Sequence, residues 1–300
     1  MKIKMESSLA LQHTGDLPEN LAFREKFTIL CEFRSNRSQV PVGIRTKLLL
    51  LAITLLNSSA TVERADNVVD TVVIDAGHGG KDPGTRGVSL KEKDVALKIA
   101  LKVGSYIQKN IPGVKVIYTR KDDRYLALDE RAAIANRNKA DLFICIHANA
   151  VSKPEIRGTE TYVMGLHKSE GNLDVAKREN SVILLDDNYE ERYEGFDPNS
   201  PESSILFSIA QSAFQESSLK FAEKVEAEFK GRVGRKSHGV KQAGFWVLWR
   251  TAMPSVLIEV GFLTNPTEEK FLNEENGQNL IASGIYRAFK EYKTQVESIN

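Results

Sequence analysis

Two cysteines among 300 residues, Cys31 and Cys145, exclude a disulfide framework, and Cys145 lies in the apolar run Leu142–Ile146 as a small core residue. Charge of one sign is also missing. Forty-one Lys and Arg against forty Asp and Glu leave a net +1, so no global field draws the chain to nucleic acid or an anionic bilayer, and any partner must be recognised locally. No repeat or low-complexity tract is visible. The apolar run at residues 48–56, LLLLAITLL, has about half the length that a membrane span needs. What remains is 41% hydrophobic and 27% charged, a balance that builds a core and excludes intrinsic disorder.

Arg45 and Lys47 precede that run and Ser58-Ser59-Ala60 follow it, the charged, greasy and small-residue order of a secretory signal peptide. Residues 48–60 are therefore expected to be the hydrophobic region and cleavage site, and residues 61–70 a linker. The forty polar, patternless residues ahead of Val40 suit no signal peptide, so 1–47 are expected to be partly untranslated, with a start near Val40 or Val42 and a mature end near Thr61. An exported, periplasmic chain with no membrane span after processing follows.

From Asp70 the pattern alternates. Thr71–Ala76 (TVVIDA) is a short β-branched run, Gly77–Gly87 a glycine-rich loop, and 91–108 carries Val95, Ile99, Val103 and Ile107 at helical spacing. Strand signals recur at 114–119, 141–147, 158–164 and 255–260, and helical ones at 128–138 and 277–296. Such alternation predicts an α/β fold: a twisted, mostly parallel sheet with helices on both faces and ligands beyond the carboxyl ends of the strands. Residues 71–300 then form one catalytic domain. Residues 167–231 show no strand signal and read as a helical insertion, with the acidic stretch 186–197 and a helix opening at Ser200-Pro201.

Three chemical groups fall at strand ends: His78 in DAGHGG, His147 in ICIHAN and Glu259 in VLIEVG. Two imidazoles and a carboxylate around one crevice are a ligand set for catalytic zinc. Glu92, in the first turn after the loop, can fold back to the same edge. Its spacing from Ser89 equally fits a capping box, Ser at the N-cap and Glu at N3. Glu259, inside the apolar run Val256–Phe262, is costly to bury without a partner. His167 and His238 sit in polar loops and read as ordinary loop residues. Glycines 77, 79, 80 and 84 allow close backbone approach, and Asp75 is a candidate support for the histidines.

The segments VVIDAGHGGKDPGTRG, LKEKDVALKIA, DLFICIHANA and GVKQAGFWVLWRTAMPSVLIEVGFLTNP resemble the zinc-dependent N-acetylmuramoyl-L-alanine amidases of the amidase_3 type, from Val72 to the C-terminus. That resemblance implies one zinc ion on His78, Glu92 and His147, with Glu259 as catalytic acid–base. It implies peptidoglycan as substrate and hydrolysis of the amide between N-acetylmuramic acid and L-alanine. Larger relatives cover the zinc with a helix until an activator protein removes it. By that analogy residues 186–214 should lie over the cleft, with Glu190, Glu191 or Glu194 as autoinhibitory carboxylates. The competing readings are another zinc peptidase acting on wall peptides and a wall-binding protein without catalysis.

Overall fold

A computed structural model describes residues 68–200, 207 and 214–298, so the expected signal segment and the helix opening at Ser200-Pro201 lie outside the described residues, the latter from Pro201 onward. Six strands, β1 (Thr71–Ala76), β2 (Lys115–Tyr118), β3 (Leu142–Asn149), β4 (Thr159–Met164), β5 (Ser237–Ala243) and β6 (Ser255–Phe262), form one sheet in the order β2-β1-β3-β6-β4-β5. All neighbours are parallel except β4 and β6. The strands β1, β3 and β6 are buried along their whole length, which is why they read as continuous apolar runs.

Alternation along these strands divides their side chains between two cores. Val72, Ile74, Leu142, Ile144, Ile146, Val256 and Ile258 face one, against helices α1 (Glu92–Asn110), α5 (Gln215–Lys230) and α8 (Glu275–Glu297). Val73, Phe143, Cys145, Tyr162 and Leu257 face the other. That second face is covered by α2 (Leu128–Arg137), α3 (Glu170–Asn180), the 3₁₀ turn Ser181–Leu185, the segment around the short helix α4 (Tyr189–Arg192), and α6 (Trp246–Trp249). The helix α7 (Pro266–Asn273) follows β6 directly, opened by Asn265, whose side chain accepts from the amides of Thr267 and Glu268.

Two expectations need correction. Residues 215–230, assigned from sequence to the insertion, form α5, whose Phe221, Ala222, Val225 and Phe229 belong to the main core beside β4, β5 and α8. The strand β5 went unread because SHGVKQA is an edge strand with only Ala243 fully buried, so its polar composition carries no apolar alternation. Among the described residues no helix is long and apolar enough to cross a membrane.

Candidate metal and catalytic site

Period two decides which strand residues meet. His147 shares the face of Phe143 and Cys145, Glu259 that of Leu257, and Asp75 that of Val73, so all three carry polar groups onto the second face of the sheet. Parallel register sets Glu259 directly beside His147. Antiparallel register sets Glu160 on Glu259's other side, and its carboxylate is held by Lys241, Tyr162 and Asn149.

His78 lies in the loop that leaves β1, with φ +59°, a left-handed conformation costly for a side chain-bearing residue. Two buried arginines hold the backbone there. Arg131 donates to the carbonyls of Ala76 and His78, and Arg120 to those of Ala76 and Gly77. Two glycines are sterically required. A Cβ at Gly77 would stand 2.4 Å from Nε2 of His147, and one at Gly84, whose φ is +64°, 2.6 Å from Oε2 of Glu92.

Glu92 is a site residue and no cap. Lys91 occupies the N-cap of α1 without a side-chain cap, and Ser89 turns to Glu269 instead. The Glu92 carboxylate reaches between the imidazoles, with Oε2 3.1 Å from His78 Nε2 and Oε1 2.9 Å from His147 Nδ1. The amides of Thr85 and Ala148 donate to its two oxygens and fix its plane. On the far side of His78, Nδ1 pairs with Asp82 at 2.7 Å. Asp82 thus does for His78 what Asp75 was expected to do. Asp75 instead binds Arg131, Thr119 and Cys145.

The sequence reading missed the fourth member, Glu179 on α3. Its Oε2 lies 3.2 Å from His78 Nε2 and 3.0 Å from His147 Nδ1, and ligand atoms of His78, Glu92, His147 and Glu179 all lie within 4.8 Å of one another. A signal was present: Asn172, Val175, Ala176, Glu179 and Asn180 are the buried stripe of α3 at helical spacing, and a carboxylate on such a stripe calls for a partner. Glu190, Glu191 and Glu194, the expected autoinhibitory carboxylates, are exposed and outside this group. Glu194 faces Arg250 instead. Arg178, Glu179, Ser181, Val182 and Leu185 wall a cavity of about 210 Å³ with His78, Gly84 and Thr85, and of the stretch 186–214 expected over the cleft, residues 201–206 and 208–213 lie outside the described residues.

The donor set fits a cation. His78 Nε2 and Glu179 Oε2 are buried and without a hydrogen-bond partner although they lie 3.2 Å apart, which leaves both atoms to serve a cation. Burial disfavours charge on His78, yet the carboxylates of Glu92, Asp82 and Glu179 outweigh it and hold its pKa well above the ordinary value. Glu179 is held well below the carboxylate range by His147 and Arg178, against its own burial.

Glu259 has a different environment. Both oxygens are buried and lack hydrogen bonds, and burial together with the Glu179 carboxylate pushes its pKa well above the usual value. Its nearest countercharge is Arg178, whose guanidinium stands 3.5 Å away while donating to Glu179, Asn149 and Ala150. His167 lies in a loop beside a separate hollow, as expected, whereas His238, expected in a loop, lies on strand β5 and meets the Arg157 carbonyl; neither joins the site.

The chain resembles known proteins in sequence and fold. Residues 72–291 match the family model Amidase_3, N-acetylmuramoyl-L-alanine amidase. The chain is 31% identical to the N-acetylmuramoyl-L-alanine amidase AmiA of Escherichia coli K12, over 74% of this chain and 75% of that protein. It superposes on the N-acetylmuramoyl-L-alanine amidase of Clostridium difficile 630 with a TM-score of 0.56 and 29% identity, over 74% of this chain and 95% of that one. The CwlD amidase of Clostridioides difficile, solved in complex with the GerS lipoprotein, gives 0.56 at 27% identity, over 75% and 99%. With this fold and these matches the chain belongs to the N-acetylmuramoyl-L-alanine amidase family, hydrolases of peptidoglycan.

Proposed function

We propose that His78, Glu92 and His147 hold one zinc ion, that Glu259 moves the proton, and that α3 is a removable cover. The observation that carries this reading is the convergence of ligand atoms of His78, Glu92, His147 and Glu179 within 4.8 Å of one another, with His78 Nε2 and Glu179 Oε2 lacking hydrogen-bond partners, beside the buried, partnerless Glu259 carboxylate. Zinc bound there supplies Lewis acidity, which makes water a nucleophile near neutral pH and polarises the lactyl carbonyl of N-acetylmuramic acid.

The chain's own residues do the rest. Glu259 accepts the proton of the attacking water and returns it to the departing alanine nitrogen, so one carboxylate serves as base and then acid. The amides of Thr85 and Ala148 orient Glu92, and Asp82 orients the His78 ring. Glu179 would be a fourth protein ligand, and a site with four protein ligands keeps no position for water. With α3 seated, Arg178 also stands against Glu259. Activity therefore requires α3 to move, and a protein that removes it would be an activator. The CwlD amidase, solved in complex with the GerS lipoprotein, is a precedent for an amidase with a protein partner. The signal-like segment at residues 48–60 supports export to the envelope, where peptidoglycan lies.

Digestion of purified peptidoglycan tests the reading. An amidase of this specificity frees new α-amino groups on L-alanine and leaves glycan strands whole. Cleavage within the stem peptide would replace it with a wall peptidase, and binding without any product would replace it with a wall-binding protein.

A further inference from the structure

Glu92 reaches the histidines only because the eight residues before it fold into a small hairpin. Arg86 bridges to Lys91, the Gly87 amide donates to Leu90 O, and the Glu92 amide donates to Thr85 O. Thr85 closes the base by donating its own amide to Glu92 Oε2 at 2.8 Å. At the hairpin's far end Leu90 packs against the main core, while Val88 is 88% exposed.

One carboxylate holds that end. Glu269, buried in the first turn of α7, accepts from the amides of Ser89 at 2.6 Å and Leu90 at 2.8 Å on Oε1, with Ser89 Oγ at 3.1 Å, and from the amide of Val88 at 3.0 Å on Oε2. Its fit admits no side chain at Gly87, where a Cβ would stand 2.5 Å from Oε1. These donors hold the Glu269 carboxyl below its ordinary range, against the effect of its burial. Three successive amides aimed at one carboxylate form an anion-binding nest whose anion is a residue of the same chain.

We propose that Glu269 is a positioning residue for metal binding: by clamping the hairpin tip from α7 it sets the plane of the Glu92 carboxylate between His78 and His147. The inference rests on the metal reading above. The helix α7 follows β6, the strand that carries Glu259, so the clamp ties the proton-transfer strand to the hairpin that presents the metal-facing carboxylate. Glu269 touches none of the reacting groups.

Zinc titration of the full chain against a competing chelator, with melting of the metal-free protein, tests this. Glu269→Ala should weaken zinc affinity by on the order of tenfold or more, the range of supporting residues around metal ligands. Glu269→Gln, which keeps the shape and one acceptor oxygen, should lose part of it and serves if the alanine variant fails to fold. The control is Glu268→Gln, one residue earlier, whose carboxylate binds Arg235 and the Gly158 amide instead. It should lower the melting temperature and leave zinc affinity unchanged. Wild-type affinity in both Glu269 variants, or equal losses in all three proteins, overturns the inference. A wild-type chain that takes up no zinc overturns the metal reading along with it.

Discussion

Glu179 Oε2 on α3 stands 3.0 Å from Nδ1 of His147 on β3, buried and hydrogen-bonded to no group through that oxygen. A buried carboxylate kept there is costly unless something positive shares the space. The same contact makes the covering segment part of the site it covers. On the proposed reading this is the inhibitory contact, and removing residues 186–214, downstream of Glu179, leaves its carboxylate in the chain.

Basal activity should rise when Glu179 is replaced. Losing the ionic contacts of Glu179 with the two imidazoles removes the tie between α3 and the site, so Glu179→Ala should raise the open fraction by roughly tenfold or more. Release of dye from labelled peptidoglycan, with zinc present and no activator added, measures it. Unchanged or lower turnover would show that Glu179 takes no part in restraint.

The roles of Glu259 and His78 separate in a two-way experiment. Glu259→Gln should retain zinc and lose about 10²–10⁴-fold in turnover, the contribution of a positioned acid–base group. His78→Ala should lose the metal too, and a chelator should bring the wild type to the same inactive state. Metal analysis beside turnover decides, since equal zinc loss in both variants contradicts the assignment.

Cys145 should be inert in the folded chain. Burial and the neighbouring Asp75 carboxylate push its thiol pKa up to about 12, so almost no thiolate exists at neutral pH. Iodoacetamide should leave the Cys145 peptide unmodified under native conditions and alkylate it in urea, as peptide mass spectrometry reads directly. Rapid native alkylation would mean that the second core opens readily.

Stability should fall in acid partly through Asp75. Burial raises its pKa, but Arg131, Cys145 and Thr119 together bring it below the ordinary carboxylate value. A carboxyl depressed in the folded state stabilises above its unfolded pKa of about 3.9, and that contribution vanishes as pH falls through the folded value. Asp75→Asn should therefore melt lower at neutral pH, by about 3–5 kcal/mol if Arg131 is left without its countercharge. It should also lose less stability than the wild type between roughly pH 4 and pH 2. Parallel melting curves across that range would remove Asp75 from the account.

The strands that deliver His78, His147 and Glu259 were legible because β1, β3 and β6 are buried on both faces and leave uninterrupted apolar runs. The capping box at Ser89 was misleading, because the same spacing that lets a serine cap a helix lets Glu269 draw that serine away. The strand β5 and helix α5 were hidden for the opposite reason, one being polar at a sheet edge, the other amphipathic within a stretch that seemed peripheral.

Local chemistry therefore determined the α/β alternation and the strand-end face that gathers His78, His147 and Glu259, since period-two burial and strand-end placement are properties of short segments, whereas Glu92 came with the family resemblance. Only the tertiary structure decided that the fourth member of the group is Glu179 and not Glu190, Glu191 or Glu194. Which acid reaches the histidines depends on where α3 docks, through Val175, Ala176 and Ile183, on a face of the sheet assembled from distant strands. Docking of that kind is a sum over long-range contacts and leaves no mark in the spacing of neighbouring residues.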